Sequence, residues 1–197
     1  MDSDKVTVKF KDKYRIASTR LSGWDYSTNA AYFISICAKE HASYFGHIYD
    51  GIMNLNAAGQ LAQKHWQEIP EKFEFAALGE FVVMPNHMHG IIIINKPTNV
   101  ETRFIASPTA SDPIRETSTA SIGGITGKDN PMLHENIARI VRWFKGRTTF
   151  EIRKLLPDFA WQALFYDHII RNNAALERMQ NYILNNPLNW KGDKFYR

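Results

Sequence analysis

The sequence predicts an α+β fold, and three observations carry this prediction. Hydrophobic residues repeat with the period of a strand in some segments and with the period of a helix in others. Glycine, proline and asparagine separate these segments. The chain has 197 residues, of which 44% are hydrophobic, and this suits one packed core. The predicted order is strand, helix, strand, strand, helix, strand, helix, as in a ferredoxin-like split βαβ sandwich with an antiparallel sheet.

The first part of the chain contributes a strand, a hairpin and a helix. Residues 31–38 (AYFISICA) are rich in β-branched and aromatic side chains, which favour a strand. Residues 45–55 form two extended segments around Asp50-Gly51, a strong hairpin signal. Apolar residues then follow helical spacing from Asn56, a candidate N-cap, to Pro70, where the helix is expected to end.

The second part supplies the remaining elements. Residues 73–84 and 87–94 are predicted to be two antiparallel strands joined by a turn at Pro85-Asn86. A second helix follows, and residues 165–170 form the last strand. Residues 174–186 make an added C-terminal helix, which Pro187 ends. The apolar stripe of the second helix consists of Ile137, Ile140, Val141 and Phe144.

Three segments fall outside this pattern. Residues 1–30 are polar and are predicted to form an N-terminal arm. Residues 96–131 are dominated by Thr, Ser, Ala, Pro and Gly, so we expect a long flexible insertion within the domain of residues 31–190. Residues 191–197 are predicted to be a basic C-terminal tail.

Composition restricts the class of protein. The net charge of +4 is compatible with a polyanionic partner and does not require one. No segment approaches the roughly 18 apolar residues of a membrane span, and the N-terminus lacks the apolar core of a signal peptide. We therefore expect a cytoplasmic protein without a membrane partner. Cys37, the only cysteine, excludes an intrachain disulfide and is expected to be a buried strand thiol.

Two histidines form the sharpest local feature. His87 and His89 are two residues apart on a predicted strand, so their imidazoles project from the same face. Imidazole is a common metal ligand, and oxygen ligands nearby would complete a site for a divalent ion. A histidine pair on a strand is also common as a hydrogen-bonded or solvated pair. The spacing alone leaves both interpretations open.

A tyrosine and an asparagine form the second feature. Tyr182 and Asn186 are four residues apart on the last predicted helix and share one of its faces. A tyrosine beside an apolar stripe usually packs while its hydroxyl reaches water. The alternative is a nucleophile, because a phenol held by a helix can attack a phosphodiester whose charge a metal neutralises. Asn186 would then direct its carbonyl oxygen to the same metal.

Basic residues are concentrated in the second half of the chain. Such a face is either ordinary solvated surface or a contact for a phosphate backbone. Two arginines of the N-terminal arm, Arg15 and Arg20, are weaker candidates for the same role. The second predicted helix carries Arg139, Arg142, Lys145 and Arg147.

Taken together, these motifs resemble a known family. The segment PNHMHG after a strand, followed later by NYILNNP on a helix, is similar to the HUH single-tyrosine transposases, and most of all to the REP-associated tyrosine transposases. The resemblance extends over residues 31–190 and includes the basic stretch FKGRTT. It implies that His87 and His89 are catalytic metal ligands, that Asn186 is a candidate third ligand, and that Tyr182 is the nucleophile.

The resemblance also implies an activity. Proteins of this family cleave and rejoin single-stranded DNA beside hairpins through a 5′-phosphotyrosine, with Mg²⁺ or Mn²⁺ as the metal. The expected partner is therefore DNA with a REP-like palindromic hairpin, and a monomer is favoured over a homodimer. His168 also matches a family position, but burial beside the sheet would explain it, so it is assigned a structural role.

Two other functions match parts of the same pattern. A histidine-triad nucleotide hydrolase also has alternating histidines, but a third would stand where Ile91 lies, and Tyr182 would have no role. A non-catalytic or domesticated nucleic-acid-binding module of the same fold remains the alternative. Metal-dependent covalent capture of DNA distinguishes the transposase from both.

Overall fold

The structure is a computed structural model, which describes residue 21 and residues 23–97 and 134–196. Most of the predicted arm and insertion lies outside the described residues. Arg15 and Arg20 lie outside them as well.

The described residues contain six strands, four α-helices and two single-turn 3-10 helices, Lys39–His41 and Trp190–Gly192. The bounds are β1 (Ala30–Cys37), β2 (Gly46–Tyr49), β3 (Ile52–Leu55), α1 (Ala57–Gln67), α2 (Ile69–Lys72), β4 (Ala76–Val83), β5 (His87–Ile94), α3 (Ile137–Ile152), β6 (Tyr166–Ile170) and α4 (Asn173–Asn185). Asparagine side chains cap the three longer helices, as expected for their preference at N-caps: Asn56, Asn136 and Asn172. None of the helices in the described segments is long and apolar enough to cross a bilayer.

Four strands form the main sheet, in the order β4-β5-β1-β6, and each neighbouring pair is antiparallel. The hairpin β2-β3 forms a separate two-stranded sheet. The crossover from β1 through α1 to β4 leaves room for β5 between the two strands, which is the split βαβ arrangement. The predicted ferredoxin-like fold is confirmed.

The two faces of the sheet carry different helices. On one face, Tyr32, Ile34 and Ile36 of β1 pack with side chains of α1 and α3 such as Trp66 and Phe144. Because successive strand residues point to opposite faces, the residues between them form the other face. That face carries the histidine pair of β5.

Helix α4 covers part of this second face. Its buried Ile183 packs with Phe33, Ile91 and Ile170 of the sheet. The helix lies mainly against β4 and β5. As a result, the side of this face toward β6 is less covered.

Two predicted boundaries are wrong. Pro70 does not end the first helix; α1 ends at Gln67, and Pro70 lies in the first turn of the short α2. The first turn of a helix tolerates proline because its N–H groups have no partner within the helix. The strand predicted from residue 73 begins at Ala76, since Phe73 and Phe75 turn into the core beneath it.

Gly90 lets β5 approach the core. A Cβ placed on Gly90 would lie 2.8 Å from Cε2 of Trp66 and 3.0 Å from Cβ of Phe81. Trp66 is fully buried and cannot move aside. We expect Gly90→Ala to destabilise the protein by about 1–3 kcal/mol through overpacking. Urea unfolding measures this, with Gly146→Ala on α3 as the control because its Cβ meets open space; equal stability of the two variants would contradict the packing described.

Candidate active site

The histidine pair lies on β5, on the face partly covered by α4. His87 and His89 have 0% and 1% of their surface exposed. Their Nε2 atoms are 3.1 Å apart. Two nitrogens that bind one ion at about 2.0–2.1 Å, at right or tetrahedral angles, are separated by roughly 2.8–3.4 Å. The observed separation therefore suits two ligands of one metal.

Neighbouring side chains orient both imidazoles. Nδ1 of His87 donates to Oδ1 of Asn86 at 2.8 Å, while the amide group of Asn86 donates to two backbone carbonyls. The lone pair of His87 is thus placed on Nε2. Nδ1 of His89 is 2.7 Å from Oγ of Ser35. Such outer partners fix the orientation of metal-binding histidines.

Both histidines are held in the neutral form that binds metals. Burial, with a smaller effect of His41, lowers the pKa of His87 to about 3. Burial and the neighbouring His87 lower the pKa of His89 well below its ordinary value. An imidazole must be deprotonated at the binding nitrogen to hold a metal, so the site is ready for an ion at neutral pH.

Two oxygen ligands lie beside the nitrogens. A carboxylate oxygen of Asp193 and the two histidine nitrogens lie within 4.8 Å of one another. Oδ1 of Asn186 is buried without a hydrogen-bond partner, although buried polar atoms are normally paired. A ligated ion would satisfy this oxygen. The residues therefore fit a divalent metal, and the mixed nitrogen and oxygen set suits an ion such as Mn²⁺.

Tyr182 stands at the edge of this site. Its hydroxyl is 3.4 Å from Nε2 of His89, and its ring packs edge-on against Phe33. About 40% of its surface is exposed, so a substrate can reach it from solvent. Burial raises the pKa of Tyr182, Asp193 raises it further, and a hydrogen bond with the Asn186 side chain opposes the change. Because its pKa is raised, the phenol of Tyr182 stays protonated at neutral pH.

The C-terminal segment covers the histidines. The ring centroid of Phe195 lies 4.6 Å from that of His87. The carbonyl of Phe195 accepts a hydrogen bond of 2.8 Å from Asn86, and its N–H donates to Asp193 at 2.7 Å. These contacts bring the Asp193 carboxylate to the histidine pair. They also explain why the two imidazoles are buried.

A cavity adjoins Tyr182 and the C-terminal segment. Its volume is about 650 Å³, and its lining includes Tyr182, Asn186, Lys191, Asp193 and Lys194. Two lysines give it a positive wall, so it offers a place for a phosphate group within reach of the phenol.

The predicted DNA-binding residues of α3 lie elsewhere. This helix packs on the opposite face of the sheet from the histidines. Arg139 and Arg142 are exposed on it, and Arg147 pairs with Glu151 at 3.3 Å. Nζ of Lys145 donates to the carbonyls of Gln162 and Leu164, and burial lowers the pKa of Lys145 to about 8.

Two further expectations need correction. His168 is exposed, not buried, and lies on the histidine face because it pairs with Phe33 in the sheet register. Cys37 is half-buried, since its side chain lines a cleft beside β6. Burial still raises the pKa of its thiol to about 11.

Sequence reasoning missed four residues of the site: Ser35, Asn86, Asp193 and Phe195. The sequence does distinguish Ser35, because it is a polar residue within an otherwise apolar strand. Asp193 and Phe195 lie in a short irregular tail, where no periodicity marks a side chain as buried.

Ser35 offers a test of the histidine geometry. We expect Ser35→Ala to weaken Mn²⁺ binding by about 10- to 100-fold, because the partner that orients His89 is lost. Titration calorimetry measures the affinity, and thermal melting reports on folding. Ser27→Ala is the control, since its hydroxyl bonds only to Asp25 in an exposed turn among the contacts seen. Unchanged affinity in Ser35→Ala would show that this hydrogen bond does not prepare the site.

Comparison with known proteins identifies relatives of this chain and of its fold. An uncharacterised protein of Haemophilus influenzae is 34% identical over 180 residues, which cover 91% of this chain and 92% of that protein. A REP-associated tyrosine transposase, solved bound to a REP hairpin, superposes with a TM-score of 0.53 at 16% identity, covering 89% of this chain and 76% of that one. No protein-family model matches the chain.

The fold is therefore that of a REP-associated tyrosine transposase, and the resemblance found in the sequence is confirmed at the level of the fold. The chain belongs to the same family as the Haemophilus influenzae protein, which it matches over nearly its whole length.

Proposed function

We propose that this protein is a metal-dependent tyrosine transposase that cleaves and rejoins single-stranded DNA next to hairpins. One observation carries the proposal: the hydroxyl of Tyr182 lies 3.4 Å from a buried histidine pair whose nitrogens are spaced as ligands of one ion. Residues 31–190 would be the catalytic domain. The solved transposase with this fold is bound to a REP hairpin, which supports a hairpin as the partner.

In the proposed reaction the phosphate group is transferred from the 3′ oxygen of one nucleotide to Tyr182, so one phosphodiester replaces another. The Tyr182 oxygen attacks the phosphorus, its proton passes to water, and a bond between phosphorus and Tyr182 forms. The bond from phosphorus to the 3′ oxygen breaks, and that oxygen takes a proton from water as it leaves. A 5′-phosphotyrosine and a free 3′-hydroxyl result, and a second 3′-hydroxyl can reverse the step to join a new strand.

The protein contributes position and charge. His87, His89 and Asp193, with Asn186, would hold a divalent ion, Mg²⁺ or Mn²⁺, which when bound would neutralise the phosphate and make phosphorus more electrophilic. Helix α4 fixes the phenol of Tyr182, because the next residue, Ile183, packs into the sheet. Lys191 and Lys194 would draw the phosphate into the cavity beside Tyr182.

The basic residues of α3 would hold DNA outside the catalytic centre. We assign this role to Arg139, Arg142 and Arg147, which are exposed on α3. Lys145 is engaged with carbonyl oxygens, so we expect it to contribute less. The protein is expected to act as a monomer.

A covalent capture experiment tests the proposal. The protein is incubated with end-labelled single-stranded DNA that carries the hairpins flanking its gene, with Mn²⁺, with Mg²⁺ or with EDTA. We expect an adduct that survives denaturing electrophoresis only when a metal is present. Binding of the hairpin without an adduct under any condition would overturn the enzymatic proposal and favour a non-catalytic binding module.

A further inference from the structure

A second cleft opens beside the histidine pair and has no part in the chemistry proposed above. Its volume is about 460 Å³, within the range of about 300–1,000 Å³ common for small-molecule sites. Its walls include Ser35, Cys37, Tyr166 and Phe195. Ser35 is bonded to His89, and Phe195 packs on His87. The cleft therefore shares two walls with the candidate metal site.

The cleft lies on the open side of the sheet. Tyr166 belongs to β6, an edge strand, and pairs with Ser35 in the register, so it projects to the histidine face. Helix α4 lies mainly against β4 and β5, on the far side of that face. Tyr166 is left 51% exposed. A large aromatic ring is thus presented to solvent next to a catalytic centre.

Lys194 contacts both aromatic walls of the cleft. Nζ of Lys194 lies over both rings, 4.7 Å from the centroid of Phe195 and 5.9 Å from that of Tyr166. Lys194 also lines the cavity that contains Tyr182. The Lys194 side chain therefore lies between the cavity proposed for the phosphate and the aromatic cleft.

We infer that this cleft binds a base of the single strand next to the scissile phosphate, stacked on Tyr166, with Lys194 pairing with the phosphate between base and nucleophile. Aromatic rings that stack bases beside lysines that meet the backbone are the usual means of holding single strands. The nature of the occupant rests on the proposed function. The inference makes Tyr166 a positioning residue, which sets where along the strand Tyr182 attacks.

Stacking on Tyr166 is tested by binding. The probes are fluorescein-labelled dT20 and a 20-mer of the same backbone without bases, measured by anisotropy. We expect Tyr166→Ala to weaken dT20 binding by about tenfold, the usual effect of one lost stack, and Tyr166→Phe to retain it. The abasic strand should bind all forms equally. Tyr49→Ala is the matched control, because Tyr49 is exposed on the separate β2-β3 hairpin.

Cys37 supplies a second readout inside the cleft. It is the only cysteine in the chain, so labelling by N-ethylmaleimide reports on one site. At pH 8.5 we expect saturating dT20 to slow labelling at least fivefold, while the abasic strand has little effect. This measurement uses the unaltered protein, so it does not depend on the folding of a variant.

The outcomes separate the cleft from the chemistry. Equal dT20 affinity of Tyr166→Ala and Tyr49→Ala, with unprotected Cys37, overturns the base-binding cleft even if covalent adducts form. Loss of affinity in Tyr166→Ala with protection of Cys37 supports the cleft even if no adduct forms, and in that case only the proposed chemistry fails.

Discussion

Tyr182→Phe is expected to abolish the covalent adduct with single-stranded DNA, to below a thousandth of the amount formed by the unaltered protein. The substitution removes the oxygen that attacks the phosphorus in the proposed reaction. The ring contact with Phe33 remains, so folding should be unchanged. Denaturing electrophoresis measures the adduct, and anisotropy with the same DNA measures binding, which should change less than threefold.

Tyr196→Phe is the matched control for this experiment. Tyr196 is a second half-exposed tyrosine near the site and packs against Trp190 in the same C-terminal segment. It should form adducts as the unaltered protein does. Retention of the adduct in Tyr182→Phe, with its loss in Tyr196→Phe, would move the nucleophile to the tail.

Removal of one histidine is expected to remove the metal. In His89→Ala the remaining ligands lose a nitrogen that faces His87 at 3.1 Å. At 100 times the dissociation constant, a bound metal stabilises a fold by about 2.7 kcal/mol. We therefore expect Mn²⁺ to raise the melting temperature of the unaltered protein by several degrees and that of His89→Ala by none, and EDTA to reverse the increase.

His65→Ala controls for the loss of any buried imidazole. His65 is as buried as His89 but lies on α1, on the opposite face of the sheet. This variant should melt at a lower temperature and still respond fully to Mn²⁺. A full Mn²⁺ response in His89→Ala would show that the ion binds elsewhere.

The sequence was sufficient for the elements that follow a clear period. The alternation in β5 placed His87 and His89 on one face, and helical spacing placed Tyr182 beside Asn186, because both regularities are set by backbone geometry. The prediction for Pro70 is wrong, since a proline can begin a short helix as well as end a long one.

The rest of the site depends on contacts between distant segments. Asp193 reaches the histidines because Asn86 and Phe195, 109 residues apart in sequence, are hydrogen-bonded. No local pattern encodes such a contact. The exposure of His168 has the same origin, because it depends on where α4 lies across the sheet and not on the sequence around β6.

The central claim is that Tyr182 carries the DNA, and peptide mapping of the adduct tests it most directly. Trypsin would release residues 179–191 (MQNYILNNPLNWK), in which Tyr182 is the only tyrosine and no serine, threonine, cysteine or histidine is present. After nuclease digestion of the DNA, mass spectrometry should find this peptide heavier by a 5′-phosphonucleotide, with the added mass on Tyr182. A nucleotide attached to any other peptide would contradict the account.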